Sequence, residues 1–149
     1  MGYRQRPDDD IVAAMTTTTN PLRINPSTWN ADFGFDHGQL RTRVEQLLTV
    51  AGQGATDTDG TLLHEGDVCA QLALAMHNVE SVLTAAGMDL ADVIRMTVYT
   101  TDVDATLAAY DAVVERLAAA GATPPATLVG VTRLALAGMA VEIEVTAAR

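Results

Sequence analysis

Lysine is missing from this chain: all nine basic residues are arginine, and they face 19 Asp and Glu, for a net charge of -10. Without lysine there is no Schiff-base chemistry, no covalent pyridoxal phosphate, no biotinyl or lipoyl attachment and no P-loop Lys. So little positive charge also argues against nucleic acid and anionic membrane surfaces as partners, since both are held by clustered cations. Cysteine occurs once, at Cys69, which removes internal disulfides, CxxC redox pairs and Cys-built zinc or iron-sulfur sites, and makes a reducing cytoplasm the expected home. No apolar run approaches the ~20 residues that span a bilayer. The longest near the start, Ile11 to Met15, is too short for a signal-peptide core, so a soluble, unexported protein is expected.

Aromatics make up only 4% of the residues, yet 48% are hydrophobic, so the core has to be built from Ala, Val, Leu, Ile and Met. A length of 149 residues suits one domain. Residues 1–20, with the Asp8 to Asp10 run and the Thr16 to Thr19 run, have no periodicity and read as a flexible tail in which Met15 is a second candidate start. Residues 21–149 then form the single domain. From Pro21 to Phe35 the chain is irregular, with Leu22 to Ile24 as a short strand.

Leu47 to Ala51 is a β-type run ending at Gly52. Asp67 stands as N-cap before an apolar series at Val68, Leu72, Ala75, Met76, Val79 and Leu83, whose 3.6-residue repeat stops at Gly87. Val93 to Thr100 alternates as a strand. Asp102 or Asp104 then caps a second helix with Leu107, Tyr110, Val113, Val114 and Leu117 on one stripe, ended by Gly121 and blocked by Pro124 and Pro125. Ala126 to Leu134 is a strand, Ala137-Gly138 a turn, and Met139 to Ala147 a strand with Met139, Val141, Ile143 and Val145 on one face and Ala140, Glu142, Glu144 and Thr146 on the other. This order predicts an α+β domain, one mixed sheet with two helices on one face. The other face, carrying Glu142 and Glu144, calls for a cover, and a second copy of the same surface would supply one.

Ala51-Gly52-Gln53, Asn78-Val79, Ala85 to Met88, Val93 to Thr100, Pro124-Pro125 and Val141 to Glu144 resemble, in order, the RidA/YjgF family, over about Phe35 to the C-terminus. The resemblance implies a chorismate-mutase-like fold and a homotrimer with a central barrel core. It also implies small-molecule sites in clefts between subunits, hydrolysis of reactive enamines and imines, and no metal or cofactor. Carried over by position, Glu142 matches the glutamate that handles the attacking water, and Gly52 the glycine where backbone approaches ligand. The arginine that clamps a substrate carboxylate is matched by Ala126, the small polar or cysteine position two residues later by Leu128, and the loop tyrosine by Phe35. Three polar anchors have become apolar. Losing a buried bidentate Arg contact to a charged group costs about 2–5 kcal/mol, so either another arginine reaches the cleft or the ligand is less anionic than a 2-imino acid. Arg41, Arg43, Arg95 and Arg133 are the arginines to consider; Arg95 is preferred because it shares a strand face with Thr97 and Tyr99, which makes Arg95 and Tyr99 candidate substrate-binding residues.

Glu142 and Glu144 at i, i+2 lie ~7 Å apart on one strand face, a spacing that serves acid-base work but also describes an ordinary solvated face. His64, Cys69 and His77 match no metal-ligand spacing, and Asp57 to Gly60 with Glu65 falls short of an EF-hand. His37 is the histidine near the expected cleft loop. Three functions remain: a hydrolase of imines or a dedicated biosynthetic enzyme on this fold, a non-catalytic metabolite-binding or regulatory trimer, and a ribonuclease, the last opposed by the charge.

Overall fold

The computed structural model describes residues 21–149; the tail and Met15 lie outside them. In chain order the strands and helices are β1 (Leu22–Ile24), β2 (Gly38–Leu40), β3 (Leu47–Gln53), α1 (Val68–Ala85), β4 (Val93–Thr100), α2 (Val103–Ala108), α3 (Asp111–Ala119), β5 (Ala126–Gly130) and β6 (Val141–Ala148). Four strands make the main sheet in the order β3-β6-β4-β5, while β1 and β2 pair separately. β6 runs antiparallel to both of its neighbours and β4 parallel to β5. This is a mixed α+β fold with the helices over one face of the sheet.

The apolar alternation places the core. Val141, Ile143, Val145 and Ala147 of β6 and Met96 and Val98 of β4 are buried, and they pack with Leu72, Ala75, Met76, Val79 and Leu83 of α1, all fully buried. Asp67 caps α1 by accepting from the Ala70 amide at 2.9 Å, and Gly87 closes it at φ 71°, a left-handed conformation that favours glycine.

The expected second helix is two. α2 stops at Ala108 and α3 starts at Asp111, and the Tyr110 amide reaches only Leu107, three residues back. Buried Thr106 is tied to Thr100 Oγ1 at 2.7 Å and to the Asp102 carbonyl at 2.8 Å, which fixes α2 on the sheet edge. The break re-aims the chain so that Val113 and Leu117 enter the core while Leu107, expected on the same stripe, stays 54% exposed. β5 ends at Gly130 rather than Leu134, because its partner β4 ends at Thr100 and leaves no further ladder. β3 continues past Gly52 to Gln53, and β2 was not anticipated.

A buried carboxylate anchors the β1–β2 ribbon. Asp36, 1% exposed, accepts from Arg23 Nε at 2.9 Å, Asn25 Nδ2 at 2.7 Å, Gln39 Nε2 at 2.9 Å and Thr123 Oγ1 at 2.7 Å, and its amide donates to the Thr123 carbonyl. Burial by itself would raise its pKa, but the bonds from Asn25, Gln39, Thr123 and Arg23 outweigh burial and hold it below the ordinary 3.8. A depressed carboxylate stabilises the fold at pH values above its unfolded pKa and loses that contribution as the pH falls through its folded pKa. Asp36→Asn should therefore be less stable than the wild type at pH 7 by about 1–3 kcal/mol, and the gap should close below the ordinary carboxyl range. Urea melts at several pH values read both.

Candidate functional site

Strand pairing brings the charged residues together. On the sheet face turned away from the helices, Tyr99 is opposite Glu142, Thr97 opposite Glu144 and Arg95 opposite Thr146. All but the exposed Arg95 are half-buried in the single chain. The Tyr99 hydroxyl donates to Glu144 Oε1 at 2.9 Å, and Arg95 Nη2 donates to Thr127 Oγ1 at 2.7 Å. Arg95, Thr97, Glu144, Thr146 and Thr49 line a shallow depression of about 180 Å³ on this face.

Glu142 has a separate neighbour. The ladder between β3 and β6 slips between Val50 and Gln53, a bulge that brings Gly52 against the Glu142 side chain. A Cβ at Gly52 would collide with the Glu142 carboxylate, and every heavy atom nearest to that Cβ belongs to Glu142. The glycine is required here because the carboxylate lies over bare backbone. Beyond it, Asn78 of α1 donates to the carbonyls of Gly54 and Thr56 at 2.9 and 3.0 Å and so fixes the chain as it leaves β3.

The apolar replacements lie elsewhere. Ala126 and Leu128 are paired with Met96 and Val98 and pack against the core on the helix side of edge strand β5, so within one chain they are on the opposite face from Glu142 and Tyr99. Phe35 sits in an aromatic group with Trp29, 5.7 Å away between ring centroids, and with Phe33 and His37. Asp36 ties this group to Thr123, three residues before Ala126. The predicted residues thus form two sets, Gly52 with Glu142, Tyr99 and Arg95 on the open face, and Phe35 near the start of the strand carrying Ala126 and Leu128.

The other arginines divide by role. Arg41 donates to the carbonyls of Ala148 and Ala91 at 2.8 and 2.7 Å and is part of the scaffold. Arg133 lies beyond the end of β5 and lines an open hollow that Glu65 and Gly138 also line. Among the described residues no group of three or more His, Cys, Asp or Glu is placed to hold a metal ion, and no helix is long and apolar enough to cross a membrane. Asp36 and Gln71 were not singled out from the sequence. Gln71 had a signal, a polar residue next to Leu72 on the buried stripe, whereas the partners of Asp36 are up to 87 residues away in sequence.

The hydrogen bond to Glu144 pushes the Tyr99 phenol above its ordinary 10.0, burial and the Glu144 charge adding to it while Thr97 opposes. Burial pushes Tyr110 further, to about 12. Glu144→Gln should therefore bring Tyr99 back toward 10.0 and leave Tyr110 where it is. Ultraviolet tyrosinate titration, with Tyr99→Phe to assign the transition, checks this.

The endoribonuclease L-PSP family model matches residues 37–149. The conserved Rid family protein YyfB of Yersinia pestis is 35% identical, with a TM-score of 0.77 over 87% of this chain and 99% of that one. E. coli TdcF, solved with bound serine, is 27% identical with a TM-score of 0.63, covering 89% and 95% of the two chains. The E. coli YjgF gene product is 26% identical with a TM-score of 0.61, again over 89% and 95%. No curated protein matches the chain.

Proposed function

We propose an activity from one established premise: the chain belongs to the RidA/YjgF, or endoribonuclease L-PSP, family. The activity is hydrolysis of the C=N bond of a small reactive imine, or of its enamine tautomer, in a cleft between copies of the chain. The observation that carries this reading is the seating of the Glu142 carboxylate over the bare backbone of Gly52. A carboxylate held there accepts a proton from water as the water oxygen attacks the imine carbon. The resulting carbinolamine expels ammonia and leaves the carbonyl compound, so water and imine account for every atom of the products. No cofactor is needed.

The split between the two residue sets supports a site shared by two subunits. One chain cannot bring Ala126 and Leu128 to its own Glu142, since they lie on opposite faces of one sheet. A second copy whose β5 edge meets the open face would supply the missing wall of such a cleft, and it would also cover a face whose Glu142, Glu144 and Tyr99 are half-exposed in isolation. The family resemblance implies that this assembly is a homotrimer, three times 15.7 kDa, with small molecules as its partners. Light scattering at micromolar concentration should give that mass, and a monomer would remove the shared cleft from the proposal.

The substrate follows from what the second set lacks. With Ala126 in place of a guanidinium there is no bidentate clamp for a carboxylate, and Phe35 and Leu128 offer apolar walls. The preferred substrate is a less anionic, more apolar imine than a 2-imino acid. The net charge of -10 opposes RNA as substrate. In a semicarbazide-competition assay on dehydratase-generated iminopropionate, the wild type should be weakly active and Ala126→Arg more active. Adding Glu142→Gln or Gly52→Ala to that variant should erase the gain, the latter by forcing the carboxylate from its seat while the flexible side chain limits the loss of stability to about 1 kcal/mol. No gain in a folded Ala126→Arg protein would favour the second reading, a trimer that binds a metabolite without turning it over, for which the missing clamp is equally suited.

A further inference from the structure

Beyond the strand ends, among residues that belong to neither set, the loop before α1 and the loop between β5 and β6 border an open hollow of about 560 Å³. That volume is in the range of small-molecule sites, about 300–1,000 Å³. Glu65 and Gly66 form one wall, and Arg133, Leu134, Leu136 and Met139 the other.

The hollow is held open by a buried amide. Gln71, fully buried in α1, donates from Nε2 to the carbonyls of His64 and Gly138 at 3.1 and 3.0 Å, and its Oε1 accepts from the Ala140 amide at 2.8 Å. One side chain therefore pins both loops to the same helix, and both walls are in place before any ligand arrives, which lowers the cost of binding. The backbone confirms the fixed shape. His64 at φ 59° and Gly138 at φ 80° are both left-handed, and a Cβ at Gly138 would run into the Glu65 carboxylate at 2.6 Å from its Cδ. Glu65 is thus laid over the floor of the hollow.

The charges lining it are of opposite sign and unspent. Among the described residues neither Arg133 nor Glu65 takes part in an ion pair or a side-chain hydrogen bond, although both line the same hollow. A guanidinium fork binds a carboxylate bidentately, a carboxylate binds an ammonium, and Leu134, Leu136 and Met139 lie beside them as an apolar wall. We propose that this hollow binds a zwitterion with an apolar side chain, of the chemical class of a free aliphatic α-amino acid, its carboxylate on Arg133 and its ammonium on Glu65. The site is independent of the hydrolytic reading, because none of its residues belongs to either of the two sets.

The test uses the full chain labelled with 13C at the methionine methyls, the Met139 signal being assigned by Met139→Leu. L-Leucine should shift that methyl saturably. 4-Methylpentanoate, which lacks the ammonium, and 3-methylbutylamine, which lacks the carboxylate, should each bind at least tenfold more weakly. Arg133→Gln should abolish the response to the acid, Glu65→Gln the response to the amine, and Glu142→Gln should change neither. A Met139 methyl that ignores leucine, a response that survives both charge-removing variants unchanged, or a response lost in Glu142→Gln would each overturn the proposal.

Discussion

The charged and polar groups on the open face of the main sheet are arranged by one strand. β6 is hydrogen-bonded along both edges, to β3 and to β4, so its two-residue alternation cannot slip without breaking two ladders at once. That constraint sends Val141, Ile143 and Val145 into the helices and Glu142 and Glu144 to the opposite face. Tyr99, Thr97 and Arg95 then have no choice of neighbour, because β4 pairs with β6 residue for residue from Arg95 to Thr100. The bulge in β3 works against the same fixed strand. The extra residue on the β3 side is absorbed between Val50 and Gln53, and it brings Gly52 to the Glu142 carboxylate.

The parts of the fold that were legible in the sequence are those where one periodic pattern meets one partner. α1 shows its 3.6-residue stripe, its aspartate cap and its closing glycine, and all three act locally. β6 alternates for seven residues, from Val141 to Ala147. Where the sequence failed, the deciding term was remote or diluted. The stretch after Val103 carries one helical stripe through Leu107, Tyr110, Val113 and Val114, so nothing in it marks the break at Ala109 and Tyr110, which depends on Thr106 being tied to Thr100. The sequence predicts β5 too long because strand length is a property of the pair, and its partner β4 ends at Thr100. β2, Gly38 to Leu40, is too short to alternate.

The candidate site was legible in kind but not in arrangement. Position-by-position matching picked Gly52, Glu142, Ala126, Leu128 and Phe35 as one constellation, and the structure distributes them over two faces of a sheet. Nothing in a linear sequence distinguishes residues that meet within a chain from residues that meet across copies. The anchoring of Phe35 was equally hidden, since Asp36 gathers donors from Arg23, Asn25, Gln39 and Thr123, each with an ordinary surface-residue signature of its own.

Gln71 grips its two loops through main-chain atoms alone: two carbonyl oxygens and one amide. A clamp addressed to the backbone is indifferent to the side chains it holds in place. Glu65, Arg133 and Leu136 can be exchanged for other residues while the loops that carry them keep their position, whereas Gln71 itself tolerates no replacement that lacks a donor or an acceptor. The fold therefore separates the part of the wall that sets its shape from the part that sets its chemistry, and single substitutions can change the chemistry of that wall without its shape having to be rebuilt.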